Sequence, residues 1–191
     1  MNPIQKFIEW LDDAKANKSI AEPTAMTLAT VDSTGAPSAR IVLLKGIDER
    51  GFVFYTNFES RKGSEIKQNP NVALCFHWMP LERQVRVEGH VEQVSDAEAD
   101  VYFASRARDS QIGAWASKQS QDLGSREELL QAVAQTAEKF EGKPVARPPH
   151  WSGWRVIPER IEFWQQGDFR IHDRDVFIKS ANGWTAKKLY P

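Results

Sequence analysis

The sequence predicts a mainly β fold with α additions: an antiparallel barrel with helices packed on its outside. Three observations carry this. Runs rich in β-branched and aromatic residues, bounded by turn residues, fill 26–94 and return over 153–189. Between them, 95–140 read as a helical insertion opened by two capping boxes, Ser95-Asp96-Ala97-Glu98 and Ser125-Arg126-Glu127-Glu128. At 191 residues the chain fits one domain, 1–191, with a good core.

Taken in order, residues 2–16 form an amphipathic helix. Asn2 caps it, Pro3 suits its first turn, and Ile4, Phe7, Ile8 and Leu11 fall on one face. A polar connection reaches Pro23, so 1–24 are a helix and linker. Strands follow at 26–31, 38–45 and 52–57, with turns at Asp32-Ser33-Thr34-Gly35 and Asp48-Glu49-Arg50-Gly51. A short helix spans 60–69 and stops at Asn69-Pro70. Strands 72–78 and 84–94 come next. The second alternates cleanly, with Val85, Val87 and Val91 against Gln84, Arg86, Glu88, His90 and Glu92. Helices then cover 95–105, 109–117 and 125–140, and a proline-rich loop covers 142–149. Strands at 153–156, 161–165, 176–179 and 184–189 close the chain, the last two joined by Asn182-Gly183.

Composition excludes several function classes. A net charge of −1 argues against a nucleic-acid surface and a polybasic membrane anchor. No apolar run approaches the roughly 18 residues of a membrane span, and the N-terminus lacks the pattern of a secretion signal. The single cysteine, Cys75, sits in an apolar run and reads as a small buried hydrophobe, which suits a reducing cytoplasm. Rossmann and P-loop glycine patterns, metal-type Cys/His clusters and a G-x-S-x-G elbow are absent. A nucleotide-like ligand would therefore be held by side chains on strands. Seven tryptophans supply flat surfaces for cores, interfaces or planar ligands.

The chain is organised around Arg40–Lys62. Arg40, Lys45, Arg61 and Lys62 surround a short hairpin, and Ser60 caps the helix that follows. Four cations and a helix N-terminus suit a compact dianion such as a phosphate monoester. The stretch alone fits ordinary solvated strand-end charges equally well. Strict alternation puts Arg40 and Lys45 on opposite strand faces.

The run Ile161-Glu162-Phe163-Trp164-Gln165, followed after four residues by Arg170-Ile171-His172-Asp173-Arg174, closely resembles the signature of the pyridoxamine 5′-phosphate oxidases, flavin enzymes of vitamin B6 metabolism. Other segments agree in order: Arg40 to Lys45, Tyr55-Thr56-Asn57, Ser60-Arg61-Lys62, Glu82-Arg83-Gln84-Val85, Arg106 to Trp115, Ser117-Lys118-Gln119-Ser120 and Leu189-Tyr190-Pro191. The resemblance runs from about Met26 to Pro191. It implies an FMN-binding split barrel that forms a homodimer, with FMN held non-covalently in clefts between subunits. It also implies oxidation of pyridoxine or pyridoxamine 5′-phosphate to pyridoxal 5′-phosphate. A hydride passes from the substrate's C4′ to N5 of FMN, and O2 reoxidises the flavin to give H2O2. The amine substrate also releases ammonia.

By the same resemblance, flavin contacts fall on Arg40, Ile41, Val42, Leu43, Leu44, Lys45, Tyr55, Thr56, Arg61, Lys62, Gln84, Gln119, Ser120, Trp164 and Arg174. Their chemistry is suitable. Arginines and Lys62 can neutralise a phosphate. Gln84 can donate to and accept from a uracil-like edge, Trp164 offers a flat wall, and a cation such as Arg174 favours an anionic reduced flavin. Taken alone, Trp164 reads as a core residue and Gln84 equally as a solvated one. Substrate contacts fall on Lys45, Tyr102, Arg106, Ser110, Arg170, Ile171 and His172. Tyr102 and Arg106 share a helix face if the helix extends that far, and with Ser110 and Lys45 they suit a second phosphate. Arg170 and His172 are the candidate catalytic pair at the pyridine ring, where a cation stabilises developing negative charge. Outside this pattern, Tyr102 and Arg106 read as an exposed helix pair and His172 as a loop histidine.

Two departures stand out. Family members often carry a longer basic and aromatic N-terminal segment, whereas about 25 residues precede the first strand here and read as a packing helix. Lys188 stands where arginine is usual, without arginine's bidentate reach. Two other readings stay open: a related oxidase acting on another aromatic substrate, as in phenazine biosynthesis, and a non-catalytic flavin or pyridoxal-phosphate binding barrel.

Overall fold

In the computed structural model, which describes residues 2–191, four of the five helices start where capping side chains stand. The five are α1 (Pro3–Ala16), α2 (Arg61–Gln68), α3 (Asp96–Ser105), α4 (Arg108–Ala116) and α5 (Arg126–Lys139). The side chains of Asn2, Ser60, Ser95 and Ser125 accept from the backbone N–H of Ile4, Gly63, Glu98 and Glu128. These bonds satisfy donors that the first helical turn leaves free. Helix α4 begins at Ala107 with no side-chain cap.

The strands are β1 (Ala25–Val31), β2 (Pro37–Leu43), β3 (Gly46–Asp48), β4 (Gly51–Asn57), β5 (Asn71–Trp78), β6 (Arg83–Gln93), β7 (Trp151–Gln165), β8 (Asp173–Ser180) and β9 (Gly183–Lys188). Their pairings are all antiparallel, in the order β2-β1-β5-β6-β7-β4-β3. The sheet divides at β7. One edge of β7 pairs with β6 along its length, while the other takes β4 over its first half and β8 over its second. Strand β9 then pairs with β8.

The long β7 corrects the expectation of separate strands at 153–156 and 161–165. The register slips between Glu88 and Gly89 of β6, where Glu88 faces Arg160 and Gly89 faces Pro158, so Glu159 is an extra residue on β7. Inward positions are therefore even-numbered before the bulge (Trp154, Val156) and odd-numbered after it (Ile161, Phe163), all buried. A single strand carrying two phases reads as two strands. Gly89 is required at the slip, because a Cβ there would lie 2.0 Å from the Ile157 carbonyl oxygen.

The second expected strand also ends early, at Leu43 rather than Lys45. The Leu44 N–H still donates to Thr24, beside β1, but the Lys45 N–H donates to Val53 of β4 (2.8 Å). The chain changes partner between them, so simple alternation does not relate Arg40 to Lys45.

The main core lies between α1 and the sheet. Phe7 is fully buried, edge-on to Phe52 (4.9 Å) and Phe76 (4.8 Å). Trp10 meets Phe163 edge-on (5.2 Å), which makes α1 the packing helix its periodicity predicts. A second apolar cluster holds Phe103, Ile112, Val145 and Trp151 beneath the helical segment. Helix α5 has no buried residue.

Candidate functional site

A cleft of about 520 Å³ opens where β2, β4, α2, α3 and α4 meet. It brings together Ile41, Val42, Leu43, Lys45, Tyr55, Thr56, Lys62 and Gln119 of the predicted flavin set with Tyr102, Arg106 and Ser110 of the predicted substrate set. Gly113, Ala114 and Ser117 continue the wall from Ser110 along one face of α4. A Cβ on Gly113 would meet nothing within 4 Å, so the wall leaves room there.

One group of cations gathers at α2. Lys62 Nζ donates to Gln119 Oε1 (2.9 Å), Thr56 Oγ1 (3.1 Å) and Ser60 Oγ (3.2 Å), all neutral partners. Burial, reinforced by the nearby Arg40 charge, pushes this amine down to about 8. Arg40 and Arg61 do not line the cleft. They converge on Glu65, whose Oε2 accepts from Arg40 (3.2 Å) and Oε1 from Arg61 (2.8 Å). Thr30 and Ser38 donate to the same carboxylate. Arg40 also donates to Thr30, Ser38 and the Leu28 carbonyl. Burial opposes ionisation of Glu65, but hydrogen bonds from Ser38, Thr30 and Arg61 outweigh it and hold the carboxyl at about 2. Leu44 is buried in the core, and Ser120, beside Gln119, adopts a left-handed backbone (φ 71°).

A second cation stands alone. The helix ends at Ser105, as its predicted span of 95–105 has it, so Arg106 lies beyond it and does not share a helix face with Tyr102. Arg106 has extended backbone (φ −73°, ψ 149°), its N–H bonded to the Phe103 carbonyl as the chain turns into α4. Both side chains still reach the cleft. Among the described residues the Arg106 guanidinium has no carboxylate partner, and its Nη1 is buried without a hydrogen bond. Its charge centre lies 4.8 Å from the Trp151 ring. Trp151 is nearly parallel to Tyr55 (5.3 Å, 7°), which stacks on Tyr102 (4.0 Å, 12°). Burial, with smaller contributions from Glu98 and Tyr102, pushes the Tyr55 phenol up to about 12, so it stays neutral. A Cβ at Gly153, paired with Tyr55 across β4 and β7, would come within 2.7 Å of that ring.

The remaining predicted residues lie elsewhere. Gln84, Trp164 and Arg174 face one another in register across β6, β7 and β8, forming one row on one sheet face. Glu162, buried on the same face, accepts from Arg174 Nε (2.8 Å) and Nη2 (2.7 Å). Next to the row, Phe169 (φ 53°) and Arg170 (φ 66°) both adopt left-handed backbone, a local cost typical of functional sites. The exposed Ile171 follows. His172 lies 4.8 Å from Trp164, and its Nδ1 accepts from the Gly167 N–H (3.2 Å). The neutral ring therefore carries its proton on Nε2. Lys188 pairs with Asp173 (3.0 Å) and Asp175 (3.3 Å).

None of this second group lines the cleft. Trp151 and Trp164 stand at opposite ends of β7, a contour of roughly 40 Å at strand rise. Sequence reasoning missed Trp151, Glu65, Glu162 and Gly113. Trp151 opens a β-rich run and resembles a core tryptophan. Glu65 lies four residues after Arg61, the only local hint of the pair.

The sequence matches the pyridoxamine 5′-phosphate oxidase family over residues 12–140 and the pyridoxine 5′-phosphate oxidase C-terminal dimerisation region over 151–191. Among curated relatives, pyridoxine/pyridoxamine 5′-phosphate oxidase of Myxococcus xanthus is 58% identical, covering 100% of this chain and 92% of that protein. The protein of the same name from Rhodospirillum rubrum is 56% identical, covering 100% and 96%. Among solved structures, PhzG from Burkholderia lata in complex with tetrahydrophenazine-1-carboxylic acid superposes with a TM-score of 0.94 at 30% identity, covering 100% and 93%. A pyridoxamine 5′-phosphate oxidase-related, FMN binding protein from Nostoc punctiforme shares the fold at 16% identity (TM-score 0.80, covering 100% and 99%).

Proposed function

Because the chain belongs to the pyridoxamine 5′-phosphate oxidase family, we propose that it oxidises pyridoxine or pyridoxamine 5′-phosphate to pyridoxal 5′-phosphate, with FMN as cofactor and O2 as final acceptor. The observation that carries this reading is Arg106: a cation that lines the cleft with Ser110, its buried Nη1 unused by any group of the described residues. A phosphate ester supplies the missing acceptors. Tyr102, Ser110 and Lys45 would complete that anion site. The uncapped start of α4 adds unsatisfied N–H groups nearby.

The residues also fit FMN. Lys62, Thr56 and Gln119 would hold its phosphate, with Arg61 at the rim. Arg40, Arg61 and Lys62 set against Glu65 leave a formal surplus of two positive charges, suited to a dianion. Ile41, Val42, Leu43 and Tyr55 offer apolar and aromatic walls, and Gln84, Trp164 and Arg174 a polar edge, a flat face and a cation. Bound FMN would supply a hydride acceptor that O2 regenerates, releasing H2O2. Arg170 would stabilise negative charge on the substrate as its alcohol or amine proton leaves, and His172 would donate from Nε2 to the substrate's polar edge.

The cleft and the Trp164 row would meet across a homodimer, each copy supplying one part. The dimerisation-region match at 151–191 supports this, as do the exposed apolar residues Ile41, Phe169, Ile171 and Tyr190. No helix of the described residues is long and apolar enough to cross a membrane. A single half-buried cysteine fits the cytoplasm, where we place the protein. A second reading, oxidation of an unphosphorylated aromatic substrate, is favoured by the likeness to the PhzG structure but leaves Arg106 without a partner.

The test is anaerobic. Pyridoxine 5′-phosphate added to FMN-loaded protein should bleach the flavin and yield an equal amount of pyridoxal 5′-phosphate. A flavin that stays yellow with this substrate and with pyridoxamine 5′-phosphate would overturn the activity.

A further inference from the structure

We infer that Trp151 is a positioning residue for the substrate's phosphate group: its ring is the shelf that holds Arg106 in place while leaving the guanidinium charged and its N–H edge free. The inference rests on the reading of Arg106 as a phosphate ligand and goes beyond it. A guanidinium can be fixed by a carboxylate or by an aromatic face. A carboxylate takes up N–H donors and cancels the charge. A ring attracts the cation through its face, and the donors, which lie in the guanidinium plane, stay available.

Trp151 is built for this. It is 6% exposed, and Phe103 of α3 packs edge-on against it at 5.1 Å. Its backbone is pinned to the helix that leads into Arg106. Arg147 donates to the Trp151 carbonyl (2.9 Å) and also to Asp96 (2.8 Å) and Asp100 (2.6 Å) of α3. The Trp151 N–H donates to the Pro148 carbonyl (3.0 Å). The ring thus keeps a fixed station relative to Arg106, 4.8 Å from its charge centre. Phe103 offers a second, more distant face at 5.6 Å, and among the described residues no carboxylate grips the guanidinium, so Trp151 is its nearer support.

The experiment compares Trp151→Leu and Trp151→Phe with the unaltered FMN-loaded protein. Two quantities are read: the dissociation constant of inorganic phosphate, by calorimetry, and the ratio of kcat/KM for pyridoxine 5′-phosphate to that for unphosphorylated pyridoxine. Trp151→Leu should weaken phosphate binding and shrink the ratio by roughly tenfold each, chiefly through KM, and Trp151→Phe by roughly threefold. Should the leucine variant not fold, the phenylalanine variant and Trp151→Tyr still carry the test. Folded variants that keep both values, or that lose phosphorylated and unphosphorylated substrates equally, overturn the inference. If the unaltered protein neither binds phosphate nor prefers the phosphorylated substrate, the reading of Arg106 fails instead.

Discussion

Arg40 and Arg106 carry the same cation and are set in opposite ways. Arg40 donates to Glu65, Thr30, Ser38 and the Leu28 carbonyl, so its hydrogen bonds join β1, β2 and α2. Arg106 lies on Trp151 and gives the protein no side-chain hydrogen bond from its buried Nη1. The first arrangement commits the guanidinium to the fold, and the second leaves its buried Nη1 free to meet a ligand. A cation predicted from sequence to bind an anion can therefore serve either purpose. The partner beneath it, carboxylate or ring, tells them apart.

The largest effect is expected of Arg106→Ala. It should lower kcat/KM for pyridoxine 5′-phosphate roughly 100-fold, about 3 kcal/mol, with the melting temperature within about 2 °C of the original. A large loss of stability would mean that Arg106 also serves the fold. Arg40→Ala should do the reverse. It leaves Glu65 buried with fewer donors and should cost about 2 kcal/mol in urea unfolding of the FMN-free protein. If only FMN affinity changes, Arg40 belongs with the ligand instead.

Lys62 makes ligand binding sensitive to pH. Its depressed value, about 8, means that it is charged below that pH and increasingly neutral above it. A phosphate dianion prefers the charged form. FMN affinity should thus be flat from pH 7 to about 8 and then fall by up to about tenfold per pH unit, about 1.4 kcal/mol. Fluorescence titration of FMN would show this, and Lys62→Gln should flatten the profile. The smallest effect is expected at Arg61, whose side chain is 66% exposed although it shares Glu65 with Arg40. Arg61→Ala should cost no more than about 0.5 kcal/mol in stability. A cost equal to that of Arg40→Ala would show that burial does not separate the two.

Much of the fold was legible because its signals are local. Asn2, Ser60, Ser95 and Ser125 announce helix starts within a few residues, and each accepts the expected backbone bond. Alternation in Val85, Val87 and Val91 survives the bulge because the extra residue is on the partner strand. Where the signal is not local, reading failed. The phase change at Glu159 hid the continuity of β7, and a change of hydrogen-bond partner hid the break after Leu43. At the site, residue types announced the cations but not their partners. Trp151 lies 45 positions from Arg106, and no periodicity connects them. Glu65 reads as a solvated helix charge, yet it is 4% exposed.

Strand β7 runs from the cleft to the Trp164 row. With Trp151 at one end and Trp164 at the other, each copy in a two-fold dimer would contribute to two different clefts. Inactive chains of different kinds could then repair each other. In a mixture of Arg106→Ala and His172→Ala chains, each hybrid pair would hold one cleft with both defects and one with neither. Random reassortment of equal amounts would restore roughly a quarter of the clefts. Two recessive lesions in the same gene would then complement, although neither chain alone turns over substrate.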